Sequence, residues 1–249
     1  HAPLIAFAFM AGFDLIIGSL LVAIVFLSTK YWRSLLTTPY DYKFKEVFSY
    51  IYSLKYSVIF SISFQMLLRI DQLLLPKLTS AYALGIYSAA VKISEVPNVL
   101  VGVMYVTLLS RVAPIIASDK HEDKKRVKQL FWLYFLLGLL VALFIIVFAK
   151  YAIAIIYGQQ YLESIPVLQV YAICIPFMFL CVYYNSIFGA LDRKKLMAGV
   201  YLVAAILNAF FVIILTPKFG LIGTAFANVF TYSAAVFAFA IAHKYFSKK

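Results

Sequence analysis

Six charged side chains stand inside or at the edges of long apolar runs: the cations Arg69, Lys92 and Arg111 and the anions Asp14, Asp71 and Glu95. The stretch "QMLLRIDQLLLPKL" at 65–78 is an example, with two full charges set among leucines. At the centre of a helix in hydrocarbon such a side chain costs about 2.5–3.5 kcal/mol, so it faces protein or a watery cavity rather than lipid. The chemistry open to these groups is electrostatic. Either they neutralise one another and pin helices in register, or they line an aqueous vestibule for an anionic or proton-coupled solute.

Other chemistries lack their residues. There is no phosphate-binding Walker loop, no dinucleotide fingerprint and no H-E-x-x-H pair. His1, His121 and His243 are scattered, which offers neither a metal site nor a histidine acid/base pair. Cys174 and Cys181 lie seven residues apart in one apolar run, on one helix face but beyond disulfide reach. The expectation is a protein that is not an enzyme and uses no cofactor. Any transport is then driven by a gradient, by disposal of the substrate or by another subunit.

The elements that must position the charges follow from composition. Of 249 residues 65% are apolar and 13% charged, with a mean hydropathy of +0.95, far from a soluble domain. Apolar runs of about 20 residues recur, each long enough to cross the bilayer as a helix. The fold class expected is an all-α polytopic membrane bundle of about seven transmembrane helices, near 4–28, 50–75, 84–116, 130–149, 164–190, 197–215 and 221–243. The net charge of +12 does not indicate nucleic acid, because the basic residues sit between the runs rather than on one soluble face. Pro3–Leu27 is too long for a cleavable signal, contains Asp14 and lacks a basic start. The first residue is His1, and the expectation is a piece of a longer protein.

Charge alternates between the connections. Lys30, Arg33, Lys43 and Lys45 precede the second run, Lys55 lies near its start, and Lys77 alone follows it. Lys120, Lys124, Lys125, Arg126 and Lys128 come next, then Lys150 alone, then Arg193, Lys194 and Lys195, then Lys218, then Lys244, Lys248 and Lys249. The positive-inside rule places the rich connections and the C-terminus in the cytoplasm. The outer connections, 76–83, 150–163 and 216–220, leave no room for an external domain.

That topology sets depth. Arg69 and Asp71 lie toward the outer end of the second run, and Lys92 and Glu95 roughly 12–17 Å along the third. Arg69 and Asp71 are roughly 200° apart around a helix, so they do not pair, whereas Lys92 and Glu95 share a face. A cross-helix cluster is expected, with Arg69 near Glu95 or Lys92 near Asp71, and Asp14 as a further member. Arg111 is close to the cytoplasmic end, where it can snorkel.

Smaller signals complete the reading. The third run is expected to kink at Pro97, and "YWRSLLTTPYDYKFKEVF" at 31–48 reads as an interfacial linker. Asn185, Asn208 and Asn228 favour interhelical hydrogen bonds over ligand contact. Gly223, Ala227, Ala234, Ala238 and Ala242 form a small-residue packing stripe. Among the aromatics, Tyr183 and Tyr184 beside Asn185 stand out as able to stack on sugar rings.

Three stretches carry a resemblance to a known family. "RIDQLLLPKLTSAYALGIYSAAVKISEVPNVL" (69–100), "IYGQQYLESIPVLQVYA" (156–172) and "NAFFVIILTPKFGLIGTAFAN" (208–228) resemble, in order, parts of the C-terminal half of polysaccharide repeat-unit (O-antigen type) flippases of the MOP superfamily. The resemblance implies a two-lobe transporter working by alternating access. It implies 1–28 as the last helix of the N-terminal lobe, 29–49 as the cytoplasmic interlobe linker and 50–249 as the C-terminal six-helix lobe. The implied substrate is an oligosaccharide joined through pyrophosphate to a polyprenyl lipid, moved across the bacterial inner membrane for surface polysaccharide such as lipopolysaccharide. Its partners would be the bilayer, the missing N-terminal lobe and the polysaccharide polymerase machinery, with no nucleic acid. Arg69 and Lys92, then Arg111, would contact the anion, with Asp71, Glu95 and Asp14 holding them in place or carrying coupling protons.

Other classes compete. A MATE-like multidrug exporter or a peptidoglycan-lipid exporter has a similar bundle. A membrane glycan polymerase would carry a sizeable non-membrane loop, which the short outer connections argue against. A non-transporting packing subunit would use the buried charges for structure alone.

Overall fold

The computed structural model describes residues 54–118 and 121–246, with residues 49 and 52 besides. The chain divides into two compact units, His1–Tyr52 and Ser53–Lys249, and every helix named below belongs to the second. The run at 4–28, the linker at 29–49 and Asp14 lie outside the described residues.

Among the described residues every regular element is helical: α1 (Lys55–Leu78), α2 (Ala81–Glu95), α3 (Asn98–Ser118), α4 (His121–Ile156), a 3-10 turn (Gln159–Tyr161), α5 (Ser164–Ala172), α6 (Cys174–Ala190) and α7 (Lys194–Phe246). Five stretches are long and apolar enough to cross a membrane, namely Lys55–Leu78, Ala81–Ser110, Lys125–Ile156, Ser164–Ala190 and Lys194–Phe246. Large apolar side chains such as Leu73, Val106, Val147 and Phe237 are exposed around the bundle. In water that surface would be a liability. In a bilayer it is the ordinary lipid face, since helices satisfy their backbone internally.

α7 has 53 residues, which as a straight helix would be about 80 Å long, more than twice the hydrocarbon thickness. It is folded instead. Gly220 takes φ 60°, ψ −145°, a region open essentially to glycine, and the chain reverses there. Thr216 and Thr224, equidistant from Gly220, hydrogen-bond at 2.8 Å. The reversed limb runs so close that a Cβ on Gly223 would collide with the Leu215 carbonyl. The two limbs, α7a (194–219) and α7b (221–246), carry the runs expected at 197–215 and 221–243.

Two prolines divide other stretches. The α2–α3 break falls at Val96 and Pro97, as the sequence predicts, because proline lacks the N–H a continuing helix needs. Pro176 does the same for α5 and α6: Ile173 at the junction donates its N–H to Val170 O in a tighter turn.

Packing follows small residues and polar ties rather than apolar burial, which drives little helix association within lipid. A Cβ on Gly138 of α4 would come within 2.7 Å of Pro176 Cα on α6, so only glycine allows that approach. Ser164 at the start of α5 donates to Ile86 O of α2 at 2.7 Å, and Tyr134 of α4 donates to Met104 O of α3 at 3.0 Å. α1 presents Ser63, Leu67, Asp71 and Leu75 to the interior, one residue per turn of a single face. Leu67 belongs to one apolar cluster with Tyr201, Tyr232 and Phe239; Leu75 belongs to another with Tyr87, Val91 and Ala225. Asp71 lies between these two layers.

The expected small-residue stripe is only half right. Gly223 and Ala227 are buried, but Ala234, Ala238 and Ala242 are half-buried. The packing face of α7b turns instead through Thr224, Asn228, Thr231, Ala235 and Phe239, because its polar residues must reach partners.

Basic side chains gather at one end of the bundle. Lys55 and Lys195 lie 5.3 and 5.8 Å from the Tyr56 ring centre, and Arg193 lies 4.6 Å from that of Phe246. This joins the start of α1, the α6–α7 turn and the end of α7b, three places where the sequence concentrates positive charge.

Candidate functional site

α1 and α2 form a hairpin through Thr79 and Ser80. Thr79 Oγ1 returns a hydrogen bond to Leu75 O at 2.8 Å, and the Ser80 side chain accepts from Ala83 N at 3.2 Å to start α2. The hairpin brings Arg69 of α1 against Glu95 of α2, Nη1 to Oε1 at 2.8 Å, and Lys92 reaches the other carboxylate oxygen at 3.5 Å. Two cations thus converge on one carboxylate. The cluster keeps an excess positive charge, and it is open, with Arg69 and Lys92 side chains 42% and 56% exposed against 18% for Glu95. Of the two pairings left open by the sequence, the structure forms Arg69 with Glu95.

Lys92 does not reach Asp71, because Asp71 faces the interior. Tyr87 donates its hydroxyl to Asp71 Oδ2 at 2.5 Å, Asn228 donates Nδ2 to the same oxygen at 3.0 Å, and the Gln72 N–H donates to Oδ1 at 2.7 Å. Asn228 is held in turn by Asn208, whose Nδ2 donates to Asn228 Oδ1 at 3.2 Å and to Thr231 Oγ1 at 3.3 Å. The result is a buried polar node joining α1, α2, α7a and α7b, in which neutral donors satisfy a carboxylate. Asn185 donates to the Tyr201 hydroxyl at 2.8 Å. All three asparagines therefore make interhelical hydrogen bonds, as expected from sequence.

Beside the charged cluster lies a cavity of about 350 Å³. The Pro97 break creates it: α1 packs on α2 and α7, while α3 departs and packs on α6. Phe60, Phe64 and Leu68 of α1 face Asn98, Gly102 and Tyr105 of α3 across it, and Asn185, Tyr201 and Tyr232 close the inner wall. Leu68 and Asn98, at one end of this lining, are one and three residues from Arg69 and Glu95.

The six charged candidates therefore separate. Arg69, Lys92 and Glu95 come together; Asp71 belongs to the buried node; Arg111 lies on α3, its side chain outside those described. Tyr183 and Tyr184 do not line the cavity: Tyr183 donates to Val127 O at 3.1 Å, and Tyr184 packs on Phe188 and Phe239. Sequence reasoning passed over Tyr87, which belongs to the buried node, and Asn98 and Tyr105, which line the cavity. Tyr87 had a signal, since it lies seven residues after Ser80, close to the level of Asp71, which lies eight residues before Thr79 on the facing arm of the hairpin.

The sequence model of a family described as polysaccharide biosynthesis protein matches residues 4–166. The chain belongs to that family. The match spans the run at 4–28 and all of α1 to α4, and with them Arg69, Asp71, Lys92, Glu95 and Arg111. It ends within α5, before the α7 hairpin that supplies Asn208 and Asn228. No curated protein and no solved structure matches the chain. In this polysaccharide biosynthesis protein, then, an open cationic cluster and an aromatic cavity lie next to each other in a multi-pass membrane bundle.

Proposed function

We propose that this protein moves polyprenyl-pyrophosphate-linked oligosaccharide repeat units across the bacterial inner membrane for surface polysaccharide synthesis. In this reading it is the C-terminal lobe, with one helix of the N-terminal lobe, of a two-lobe transporter with seven spans in the present chain. Its C-terminus is cytoplasmic, and it works by alternating access without chemistry of its own or a cofactor. The observation that carries the reading is the convergence of Arg69 and Lys92 on the single carboxylate of Glu95, in a membrane chain of a polysaccharide biosynthesis family.

Unpaired phosphate cannot cross hydrocarbon, and a cluster with surplus positive charge at the edge of a span is a place to receive it. Arg69 suits this role because its planar fork can engage two phosphate oxygens while Glu95 orients it. Arg111 is a third anion contact, and Asp14 a further charge for the same pathway. Asp71 pins α1, α2 and α7 together, and its hydrogen-bonded carboxylate is also the place for a coupling proton. The lipid bilayer, the N-terminal lobe and the polymerase machinery are the partners.

The test is complementation of a strain lacking its repeat-unit flippase with the full-length protein. Surface polysaccharide and the internal pool of lipid-linked repeat units are both measured. Restored export with the pool cleared is the expected result. Failure with several unrelated glycans, despite confirmed insertion, would shift the assignment to multidrug or peptidoglycan-lipid export.

A further inference from the structure

We infer that Ser57, Ser61 and Gln65 form a water-facing polar track along α1, by which the phosphate-bearing head group of the carried lipid reaches Arg69. The inference rests on the proposed carriage of a phosphate-linked glycan and adds three residues that guide it.

α1 divides into arcs around its axis. Ser63, Leu67, Asp71 and Leu75 are buried, Phe60, Phe64 and Leu68 line the cavity, and Val58, Ile62, Met66 and Leu73 are exposed apolar residues of the lipid face. Ser57, Ser61, Gln65 and Arg69 recur every four residues. At roughly 100° per residue they advance about 40° per step, which puts them in the arc between the cavity wall and the lipid face.

The protein leaves this track unsatisfied. Ser61 and Gln65 are exposed and Ser57 is half-buried, and none of the three makes a side-chain hydrogen bond among the described residues. Exposed hydroxyls elsewhere in the bundle behave differently: Thr107 donates to Val103 O at 2.9 Å, Ser110 to Thr107 O at 2.9 Å and Ser233 to Phe230 O at 2.8 Å, each on its own helix. A hydroxyl that faces lipid is satisfied in that way. An amide or hydroxyl placed in an apolar medium without a partner costs roughly 2–7 kcal/mol, so a side chain as open as Gln65 faces water or a polar solute rather than hydrocarbon.

Charge at both ends of the track selects an anion. Near Ser57, Lys55 and Lys195 lie 5.3 and 5.8 Å from the Tyr56 ring centre; at the other end Arg69 and Lys92 share the single carboxylate of Glu95. Ser57 to Arg69 is about 18 Å along the helix, more than half of the roughly 30 Å of hydrocarbon, and α1 has no acidic residue in that stretch. A phosphate moving along it meets a cation, then neutral donors, then a cation again. A lipid tail there would strand the neutral donors.

The experiment places single cysteines in a cysteine-free version of the full-length protein that still inserts, and treats opened membranes with a negatively charged, membrane-impermeant thiol reagent. Ser61→Cys and Gln65→Cys are expected to react at least about tenfold faster than Ile62→Cys and Met66→Cys, because only a thiolate attacks and apolar surroundings suppress it. Added polyprenyl diphosphate should slow both reactions, and polyprenol, which has the same tail and no phosphate, should not. In the otherwise unaltered protein, Ser61→Leu with Gln65→Leu should lower export about tenfold, the scale of one or two hydrogen bonds, and leave unfolding stability unchanged, since no bond within the protein is lost.

Labelling of Ser61→Cys and Gln65→Cys no faster than that of the two apolar positions would overturn the inference, by setting this face against lipid or another helix. Fast labelling that polyprenol slows as much as polyprenyl diphosphate does, or that neither slows, would also overturn it, as would a double leucine variant that exports normally or loses stability. Complementation separates this from the transport reading. Protection that requires the phosphate, without restored export, retains the track and removes the transport role, and restored export without such protection does the reverse.

Discussion

Asn228 and Asp71 are 157 residues apart in sequence, yet Asn228 Nδ2 lies 3.0 Å from Asp71 Oδ2. Through this bond the last helical limb is tied to α1, between two apolar layers. Both residues are buried, and Tyr87 touches each of them. Removing one member therefore strands the others.

Asn228→Leu is expected to destabilise the bundle by about 1–3 kcal/mol, because the Asp71 carboxylate loses a donor it cannot replace from lipid. Asp71→Asn should cost less, since an amide still accepts from Tyr87. A double-mutant cycle across the Asp71–Asn228 pair, followed by unfolding in detergent, should give a coupling of roughly 1 kcal/mol, the scale of interhelical hydrogen bonds in membranes. Additive losses would show that the two residues act independently.

The charged cluster separates structure from solute contact. Arg69→Ala and Lys92→Ala in the full-length protein should each abolish glycan export while insertion is unchanged. Exchanging the pair, Arg69→Glu with Glu95→Arg, restores the attraction but moves the cation. Export is expected to stay lost, whereas recovery would mean that the pair only pins the hairpin.

Folding of α7 at Gly220 can be tested by cross-linking. Thr216→Cys with Thr224→Cys, in a background with Cys174 and Cys181 replaced by alanine, should oxidise to a disulfide, because the two hydroxyls are 2.8 Å apart. In a continuous helix the same positions would be about 12 Å apart along the axis and would stay reduced.

Two glycines mark close backbone approaches. Gly138→Val drives side-chain atoms into Pro176 and Phe179, and Gly223→Val drives them into the Leu215 carbonyl. Each is expected to lower stability by about 1–3 kcal/mol, as overpacking does. Gly102→Val, facing open space, should be nearly silent in the same unfolding assay.

Pro97→Ala restores a backbone donor and favours one continuous helix through α2 and α3. The protein should be as stable or more so, and the cavity narrower. Export should fall even though no charged group has changed, measured by the same complementation. Unchanged export would show that the kink is incidental.

Residue type and order alone determined the helical membrane class, the positions of the described apolar stretches and the break at Pro97, because lipid requires long apolar helices and proline interrupts their hydrogen bonds. Contacts across a short turn belong to the hairpin itself: Asp71 with Tyr87, Asn185 with Tyr201 and Thr216 with Thr224 each join the two arms of one turn. An antiparallel hairpin brings such positions together whatever else surrounds it. Only the tertiary structure decided that Arg69 takes Glu95, that Asn228 reaches Asp71, and that Asn98 and Tyr105 face Tyr232 across one cavity. These contacts depend on the rotation and neighbour order of helices far apart in sequence. Helical periodicity sets which residues share a face, but not which other helix that face will meet.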